Sequence, residues 1–158
     1  MRVGIGYDVH RFAGKGPIRL GGVSLPCAKG LSGHSDADVL LHAIADALFG
    51  AIGAPDIGEQ FPSSDKRFHG IDSAVFVKKA VADAHRAGWK VGNVDATVVA
   101  DAPRLTGYKP KMARRIGELL SITKSDVSVK AKTTEGGSPG KKAIAAYAVV
   151  LVKPLRKK

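Results

Sequence analysis

The stretch SDADVLLHAIADALFGAIG at residues 35–53 decides the fold, because it predicts one long and almost entirely apolar helix. A helix that is apolar nearly all round is expected to be buried. Only Asp38, His42 and Asp46 form a polar stripe, since their spacing of four residues places them on one side of the helix. Burying two carboxylates and an imidazole costs free energy unless partners or a cation offset it. The stretch therefore predicts both a core and a polar site within it.

Strands and further helices surround this central helix. The pattern predicts strands at 3–7, 96–100, 127–132 and 143–152, a hairpin arm at 18–25, helices at 73–85 and 109–120, and a loop at 54–70. Helices that return between strands favour an α+β fold, a small mixed sheet with helices packed on one face and ferredoxin-like βαβ units. The length of 158 residues fits a single catalytic domain at 1–158.

The composition excludes several classes of protein. No apolar run approaches the length of a membrane span, and the N-terminus lacks the apolar core of a signal peptide. We therefore expect a cytoplasmic chain without a membrane partner. Cys27 is the only cysteine, which excludes an internal disulfide and a zinc site built from several thiolates of one chain.

Positive charge is concentrated in the last third of the chain. Residues 1–105 hold 12 Lys/Arg and 11 Asp/Glu, whereas residues 106–158 hold 13 and 3. This asymmetry suits a phosphorylated small molecule or a nucleic acid, and it suits equally a basic surface kept for solubility, with a solvated tail at 156–158. A basic nucleic-acid-binding module is thus the alternative to an enzyme, although stacking aromatics are scarce and no recognition motif is present.

Asp8, His10 and His42 predict a metal site. Asp8 and His10 lie two residues apart where the first strand is expected to end, so both side chains point to one face. Two imidazoles and a carboxylate are a well-attested ligand set of catalytic zinc with one open position, and manganese or iron accept the same ligands. The competing interpretation is a set of ordinary hydrogen-bonded side chains, with His42 bonded to Asp38 or Asp46.

Two further segments favour phosphate groups. Ser35 or Asp36 can cap the central helix, where free backbone N–H groups attract an anion, and an ordinary cap is the simpler interpretation. The sequence KAKTTE at 130–135 ends a strand with lysines and hydroxyls, and Glu135 could hold a hard cation such as magnesium. A solvated strand end explains it equally. The chain contains no Walker loop, nucleophile elbow or dinucleotide fingerprint.

Six motifs together resemble one known family, the 2-C-methyl-D-erythritol 2,4-cyclodiphosphate synthases of non-mevalonate isoprenoid biosynthesis. They are Gly-Tyr-Asp-Val-His at 6–10, His-Ser-Asp-Ala-Asp at 34–38, His42, Asp-Ile-Gly at 56–58, Ala-Asp-Ala-Pro-Arg at 100–104 and Lys-Thr-Thr-Glu at 132–135. The resemblance covers essentially the whole chain. It implies a homotrimer with three active sites between neighbours, and closure of 4-diphosphocytidyl-2-C-methyl-D-erythritol 2-phosphate to a cyclic diphosphate with release of CMP.

The same resemblance assigns roles to individual residues. It implies zinc at Asp8, His10 and His42, and magnesium or manganese between the substrate phosphates at Glu135. Transition-state stabilisation falls to His34 and Thr133. The implied substrate contacts, with 100–105 lining the cytosine pocket, are Asp8, Val9, His10, His34, Ser35, Asp56, Ile57, Gly58, Phe61, Asp65, Ala100, Asp101, Ala102, Pro103, Arg104, Leu105, Lys132, Thr133, Thr134 and Glu135. The implied partners are this cytidine-diphosphate-linked molecule and two further copies of the chain, not nucleic acid.

Two segments depart from the family pattern. Ser63 stands where aspartate is common in the Phe-Pro-x-x-Asp loop, although Asp65 is kept. After Glu135, the usual Gly-Phe-x-Gly-Arg-x-Glu-Gly is replaced by a shorter segment at 136–142 without aromatic, arginine or glutamate. A lysine of this segment can supply the arginine's charge but not its bidentate geometry. A family member with impaired activity is therefore a further alternative.

Overall fold

A five-stranded mixed sheet is the centre of the computed structural model, which describes residues 1–155. The expected solvated tail at 156–158 lies outside the described residues. The strands are β1 (Arg2–Ala13), β2 (Ile18–Leu20), β3 (Val23–Leu25), β4 (Gly30–Leu31), β5 (Trp89–Val99), β6 (Val127–Lys132) and β7 (Ala143–Pro154). The order is β4-β1-β7-β5-β6, with β7 antiparallel to β1 and β5, and β5 parallel to β6. Strands β2 and β3 form the separate hairpin predicted at 18–25.

Three long helices pack on one face of the sheet, as predicted. They are α1 (Val39–Ile52), α3 (Ala74–Arg86) and α4 (Lys109–Leu120), and the short α2 (Ile57–Gln60) lies in the predicted loop. Helix α4 connects the parallel neighbours β5 and β6, which confirms one βαβ unit. Strands β1 and β5 are also parallel, but β7 lies between them, so the unit formed with α1 and α3 is split. The order of the long elements β1, α1, α3, β5, α4, β6 and β7 is βααβαββ rather than the ferredoxin-like βαββαβ.

Several predicted boundaries were wrong, and tertiary pairing explains the largest error. Strand β1 continues to Ala13 because β7 pairs with it as far as Arg11, opposite Ala143. Asp8 and His10 therefore lie within the strand rather than at its end. Strand β5 begins at Trp89, seven residues before the predicted start at 96.

Helix α1 also begins later than predicted. Its first residue is Val39, and Asp38 is its N-cap, accepting a hydrogen bond from the Leu41 N–H. Ala37 has a φ of 56°, which is incompatible with a continuous right-handed helix through 35–38. The expected caps Ser35 and Asp36 consequently lie in the turn before the helix.

Close contact between β1 and α1 positions the two elements that carry the predicted metal ligands. A Cβ atom on Gly6 would lie 2.0 Å from the carbonyl oxygen of Ala43, and one on Gly4 would lie 1.8 Å from that of Ala47. Only glycine permits this approach, so backbone touches backbone. The contact brings His42, next to Ala43, against the stretch of β1 that follows Gly6.

The opposite face of the sheet carries exposed apolar side chains. Val3 is 61% exposed and Ile5 is 72% exposed, whereas the alternate residues of β1 face α1. Tyr7 and Tyr147 pair across β1 and β7 with ring centroids 4.7 Å apart. Within residues 1–155, no helix has both the length and the apolar character needed to cross a bilayer.

Candidate active site

Asp8, His10 and His42 bring three potential ligand atoms into one small triangle. Asp8 Oδ2 lies 2.9 Å from His10 Nε2 and 2.9 Å from His42 Nδ1, and the two nitrogens are 3.1 Å apart. Among residues 1–155, these are the His, Cys, Asp and Glu side chains that lie close enough to share an ion. Strand β1 supplies Asp8 and His10 from one face, as the spacing of two predicted, and α1 supplies His42.

Hydrogen bonds outside the triangle orient both imidazoles. His10 Nδ1 lies 2.7 Å from the carbonyl oxygen of Ser32, and a carbonyl only accepts, so Nδ1 carries the proton. In the neutral ring His10 Nε2 then presents its lone pair to the triangle. His42 Nε2 lies 2.8 Å from Ser73 Oγ and 3.0 Å from Ser35 Oγ, on the side away from Asp8.

The donor set fits a divalent cation. Two imidazole nitrogens and one carboxylate oxygen converge, and three lone pairs at such distances repel one another unless a proton or a cation lies between them. In a tetrahedral zinc site, bonds of about 2.0–2.2 Å place neighbouring ligand atoms roughly 3.3–3.5 Å apart, close to the observed triangle. Partners on the outer nitrogen of each ring are typical of metal-binding histidines.

The pKa shifts reflect this crowding. Burial alone would raise the pKa of Asp8, but hydrogen bonds and charges from His10 and His42 outweigh it and hold the pKa well below its ordinary value. Burial would lower the pKa of His10, yet the hydrogen bond and charge of Asp8, with the Ser32 carbonyl, raise it overall. Asp8 is therefore ionised at neutral pH, as a metal ligand must be.

The carboxylates of the two other acids in the predicted polar stripe form no hydrogen bond with the His42 ring among the described residues. Asp38 is fully buried and accepts hydrogen bonds from the Gly21 and Gly22 N–H groups at 2.8 and 2.6 Å, and burial raises its pKa. Asp46 accepts from the Ile57 N–H at 2.8 Å. The alternative that the His42 ring bonds to one of these acids is wrong, because its Nδ1 faces Asp8 and its Nε2 faces Ser35 and Ser73.

A cleft of about 350 Å³ opens beside the triangle. Its walls include many residues with implied substrate roles: His10, His34, Ser35, Ile57, Gly58, Phe61 and Asp65, together with Ser63. Asp56 lies at the start of α2, where its side chain accepts a hydrogen bond from the Glu59 N–H at 2.9 Å. Asp65 is bound to Arg67 at 2.6 Å, which lowers the pKa of its carboxyl group.

A second depression collects residues from the other half of the chain. Asp101, Thr133, Glu135 and Lys141 line it, together with Gly136 and Gly140, and none of them lines the cleft at the metal triangle. Asp101 accepts hydrogen bonds from the Thr134 N–H at 2.8 Å and from its hydroxyl, and these lower the pKa of Asp101. The Thr133 hydroxyl donates to Glu135.

An apolar cavity adjoins this depression. Its walls are Phe12, Cys27, Ala28, Lys29, Ala102, Pro103 and Lys141, so that Lys141 lines both spaces. Of the remaining residues with implied contacts, Arg104 and Lys132 are exposed, Ala100 and Leu105 are buried, and Val9 lies on the face of β1 away from Asp8.

Sequence reasoning missed Ser73 and undervalued Asp36. Ser73 was expected only at the start of a helix, yet its buried hydroxyl contacts His42 and donates a hydrogen bond to Asp36. Asp36 was considered only as a cap. The contact between Ser73 and His42 spans 31 positions, and no local spacing pattern reports such a distance.

Comparison with known proteins identifies the relatives of this chain. The YgbB family matches residues 1–153. A 2-C-methyl-D-erythritol 2,4-cyclodiphosphate synthase from Syntrophobacter fumaroxidans is 50% identical over 155 residues, covering 97% of this chain and 98% of that protein.

Two solved structures share the fold closely. The structure of a 2C-methyl-D-erythritol-2,4-cyclodiphosphate synthase, described as a form with CDP bound, superposes with a TM-score of 0.89 at 33% identity over 96% of this chain and all of that one. Bifunctional IspDF from Campylobacter jejuni superposes with a TM-score of 0.92 at 35% identity over 97% of this chain, which spans only 42% of that protein. The chain therefore belongs to the YgbB family, together with the 2-C-methyl-D-erythritol 2,4-cyclodiphosphate synthases.

Proposed function

We propose that this chain is a phosphorus–oxygen lyase of non-mevalonate isoprenoid biosynthesis. It converts 4-diphosphocytidyl-2-C-methyl-D-erythritol 2-phosphate into 2-C-methyl-D-erythritol 2,4-cyclodiphosphate and CMP. The observation that carries the proposal is the triangle of Asp8, His10 and His42 beside an open cleft, in a chain 50% identical to a synthase of that name.

The reaction needs positioning and charge neutralisation more than a protein nucleophile. An oxygen of the substrate's 2-phosphate attacks the β-phosphorus, the bond from that phosphorus to the bridging oxygen breaks, and CMP leaves with the electron pair. The attacking phosphate is already anionic, so no general base is required. The lack of a serine or cysteine nucleophile motif agrees with this chemistry.

The proposed metals are zinc at Asp8, His10 and His42, and magnesium or manganese at Glu135. When bound, these cations neutralise phosphate charge and align the reacting oxygens. The two-imidazole, one-carboxylate set favours zinc at the first site, and the lone carboxylate of Glu135 favours a hard cation at the second.

The protein side chains of the proposed site bind and orient the substrate. His34 and Thr133 stabilise charge in the transition state, and Ser35 contacts phosphate. The erythritol or ribose groups contact Asp56 at the start of α2 and the cleft wall formed by Ile57, Gly58, Phe61 and Asp65. The cytosine lies at 100–105, and the diphosphate lies at the end of β6 against Lys132, Thr133, Thr134 and Glu135. A solved relative described with CDP bound supports a cytidine-diphosphate-linked substrate.

We also propose that the active enzyme is a homotrimer with sites between neighbouring subunits. Two features support it. His10 and His42 of the proposed metal site line one space, whereas residues 101–103, proposed for cytidine binding, line two other spaces of the same chain. The sheet face with Val3, Ile5, Tyr7 and Tyr147 exposes apolar side chains that association would bury. In this proposal, each subunit is a single catalytic domain, 1–158, and the trimer contains three of them.

Release of CMP from the diphosphocytidyl substrate tests the function. Metal-replete protein is expected to form CMP and the cyclic diphosphate in equal amounts. Chromatography and phosphorus NMR measure the two products. Formation of neither product would overturn the proposal. Salt-sensitive binding of DNA or RNA by such inactive protein would instead favour the nucleic-acid alternative.

A further inference from the structure

A line of polar side chains leads away from His42 on the side opposite the metal triangle. Ser73 Oγ lies 2.8 Å from His42 Nε2, and the Ser73 hydroxyl donates a hydrogen bond to Asp36 Oδ1. The Ser73 backbone N–H reaches the same oxygen at 3.2 Å. Ser73 is fully buried. The line therefore connects three parts of the chain: His42 in α1, Ser73 directly before α3, and Asp36 in the turn before α1.

The proton positions along this line follow from the chemistry of its members. A carboxylate accepts only, so the proton of the Ser73 hydroxyl is committed to Asp36. The Ser73 oxygen then faces His42 Nε2 with a lone pair, which favours a proton on that nitrogen. A neutral imidazole carries one N–H, so this arrangement leaves the lone pair of His42 on Nδ1. Asp8 Oδ2, 2.9 Å from Nδ1, competes with it in the metal-free protein because a carboxylate accepts from an Nδ1–H.

Ser35 cannot impose this arrangement. Its hydroxyl also lies 3.0 Å from His42 Nε2, and it accepts a hydrogen bond from the Ala37 N–H at 3.2 Å. Within residues 1–155, no carboxylate accepts from the Ser35 hydroxyl, which also lies 3.2 Å from Ser73 Oγ. The Ser35 hydroxyl can therefore rotate towards His42 and donate to Nε2. Such a bond would place the imidazole proton on Nδ1, and a protonated Nδ1 cannot bind a metal.

Arg19 places a positive charge at the far end of the line. Its Nε lies 3.3 Å from Asp36 Oδ2, and its Nη2 lies 3.3 Å from Asp72 Oδ2. Asp36 has a side chain that is only 15% exposed, so the contact with Arg19 offsets part of the cost of burying its charge. The hairpin of β2 and β3, which carries Arg19, is thereby connected to the line.

We infer that Asp36 and Ser73 are positioning residues that hold His42 as the Nε2–H tautomer and so keep Nδ1 available to the metal. This inference rests on the metal site of the proposed function, but not on the identity of the substrate. Outer partners of metal-binding histidines typically change metal affinity about 10- to 100-fold when they are removed.

Zinc affinity and histidine tautomer test the inference together. Zinc affinity is measured by competition with a chromogenic chelator, and the tautomer of His42 by nitrogen-15 NMR of the metal-free protein at mildly alkaline pH. Ser73→Ala is expected to weaken zinc binding about 10- to 100-fold and to populate the Nδ1–H form of His42. Ser73→Thr keeps the hydroxyl, and its zinc affinity and tautomer are expected to stay close to those of the parent protein.

One control and one graded variant separate positioning from general loss of structure. Ser125→Ala removes a hydroxyl that is hydrogen-bonded to Thr123 at 2.6 Å outside the site, and both readouts are expected to stay unchanged. Asp36→Asn keeps an acceptor oxygen but not the charge, so its zinc affinity is expected to lie between those of Ser73→Ala and the parent. Circular dichroism checks that each variant is folded.

The outcomes distinguish this inference from the proposed function. The inference would be overturned if the metal-free parent held His42 as the Nδ1–H tautomer. It would also be overturned if zinc affinity and the Nε2–H tautomer stayed unchanged in folded Ser73→Ala. If Ser73→Ala loses the Nε2–H tautomer and the parent protein releases no CMP, the inference is supported although the proposed function is refuted. If the parent binds no zinc, the tautomer measurement still decides the role of Ser73 and Asp36.

Discussion

The metal triangle and the segment at 133–142 differ in how firmly the fold holds them. His10 and His42 have side chains that are 14% and 13% exposed, and each ring has a partner outside the triangle. In the segment at 133–142, the lysines and Glu135 are exposed, and the anchoring side-chain bonds are those of Thr134 to Asp101. The metal triangle keeps its motif, whereas residues 136–142 of the exposed segment carry the longer of the two departures from the family pattern.

The difference teaches where this fold tolerates change. Backbone contact between β1 and α1 leaves no room for a side chain at Gly4 or Gly6. The potential metal ligands carried by these two elements are therefore held in place to within small shifts. At Gly136 and Gly140 the chain faces open space, so a side chain added there would meet no other atom within 4 Å. Substitutions should therefore act on chemistry and folding in the first region and on binding in the second.

The largest effect is expected from His42→Ala. Loss of one ligand of three should remove tight zinc binding and lower the rate of CMP release on the order of 10³-fold or more. Bound zinc by atomic absorption and CMP release by chromatography provide the two measurements. His85→Ala, at an exposed position near the end of α3, is the matched control and should retain both. Equal zinc content and rate in the two variants would refute the ligand assignment.

The next effect concerns the contact that positions those ligands. Gly6→Ala would place a Cβ 2.0 Å from the Ala43 carbonyl oxygen, so β1 and α1 must separate. The free energy of unfolding should fall by about 3 kcal/mol, measured by urea denaturation. Gly50→Ala is the control, because the nearest atom to its Cβ is 4.0 Å away and alanine favours a helix by about 1 kcal/mol. A parent-like stability of Gly6→Ala would mean that the contact is looser than the structure indicates.

Sequence patterns predicted those parts of the molecule that depend on local spacing. Helix α4 at 109–120 and strand β6 at 127–132 have the predicted bounds. Asp8 and His10 share a face although the predicted strand end was wrong, because a spacing of two gives the same face anywhere in a strand.

Features set by tertiary contact could not be predicted in this way. The stripe of Asp38 and His42 requires a helix through both residues, but Ala37 turns the chain and Asp38 becomes a cap. The extent of β5 depends on β7, which pairs with it from Trp89 onward. The Ser73–His42 contact joins residues 31 positions apart, so only the packing of α3 against α1 reveals it.

A smaller and graded effect is expected from pH. Burial would lower the pKa of His10, but Asp8 raises it overall. In the metal-free protein, the His10 imidazole is therefore protonated to a larger extent at a given pH than an ordinary histidine is. Zinc must displace the proton, so affinity should fall about tenfold for each unit of pH below that pKa and level off above it. Asp8 contributes nothing near neutrality, since its own pKa is lowered. A zinc affinity independent of pH from 5 to 8 would contradict the role of His10.

The smallest effect is expected in the exposed segment, where two adjacent lysines allow a matched comparison. Lys141 lines both the depression with Asp101 and Glu135 and the apolar cavity with Pro103, whereas Lys142 lines neither. If a nucleoside diphosphate filled both spaces, its phosphates would lie next to Lys141. Loss of one charge-assisted hydrogen bond to phosphate corresponds to about a tenfold weaker interaction.

Steady-state kinetics of Lys141→Ala and Lys142→Ala therefore separate the two positions. Lys141→Ala should raise KM for the diphosphocytidyl substrate about tenfold with little change in kcat, because the interaction is made in both the bound substrate and the transition state. Lys142→Ala should leave both constants near those of the parent. Lys141→Arg restores the bidentate geometry usual at such sites and should lower KM. Equal KM changes at 141 and 142 would indicate a diffuse electrostatic effect, and the exposed segment would then attract substrate without contacting it.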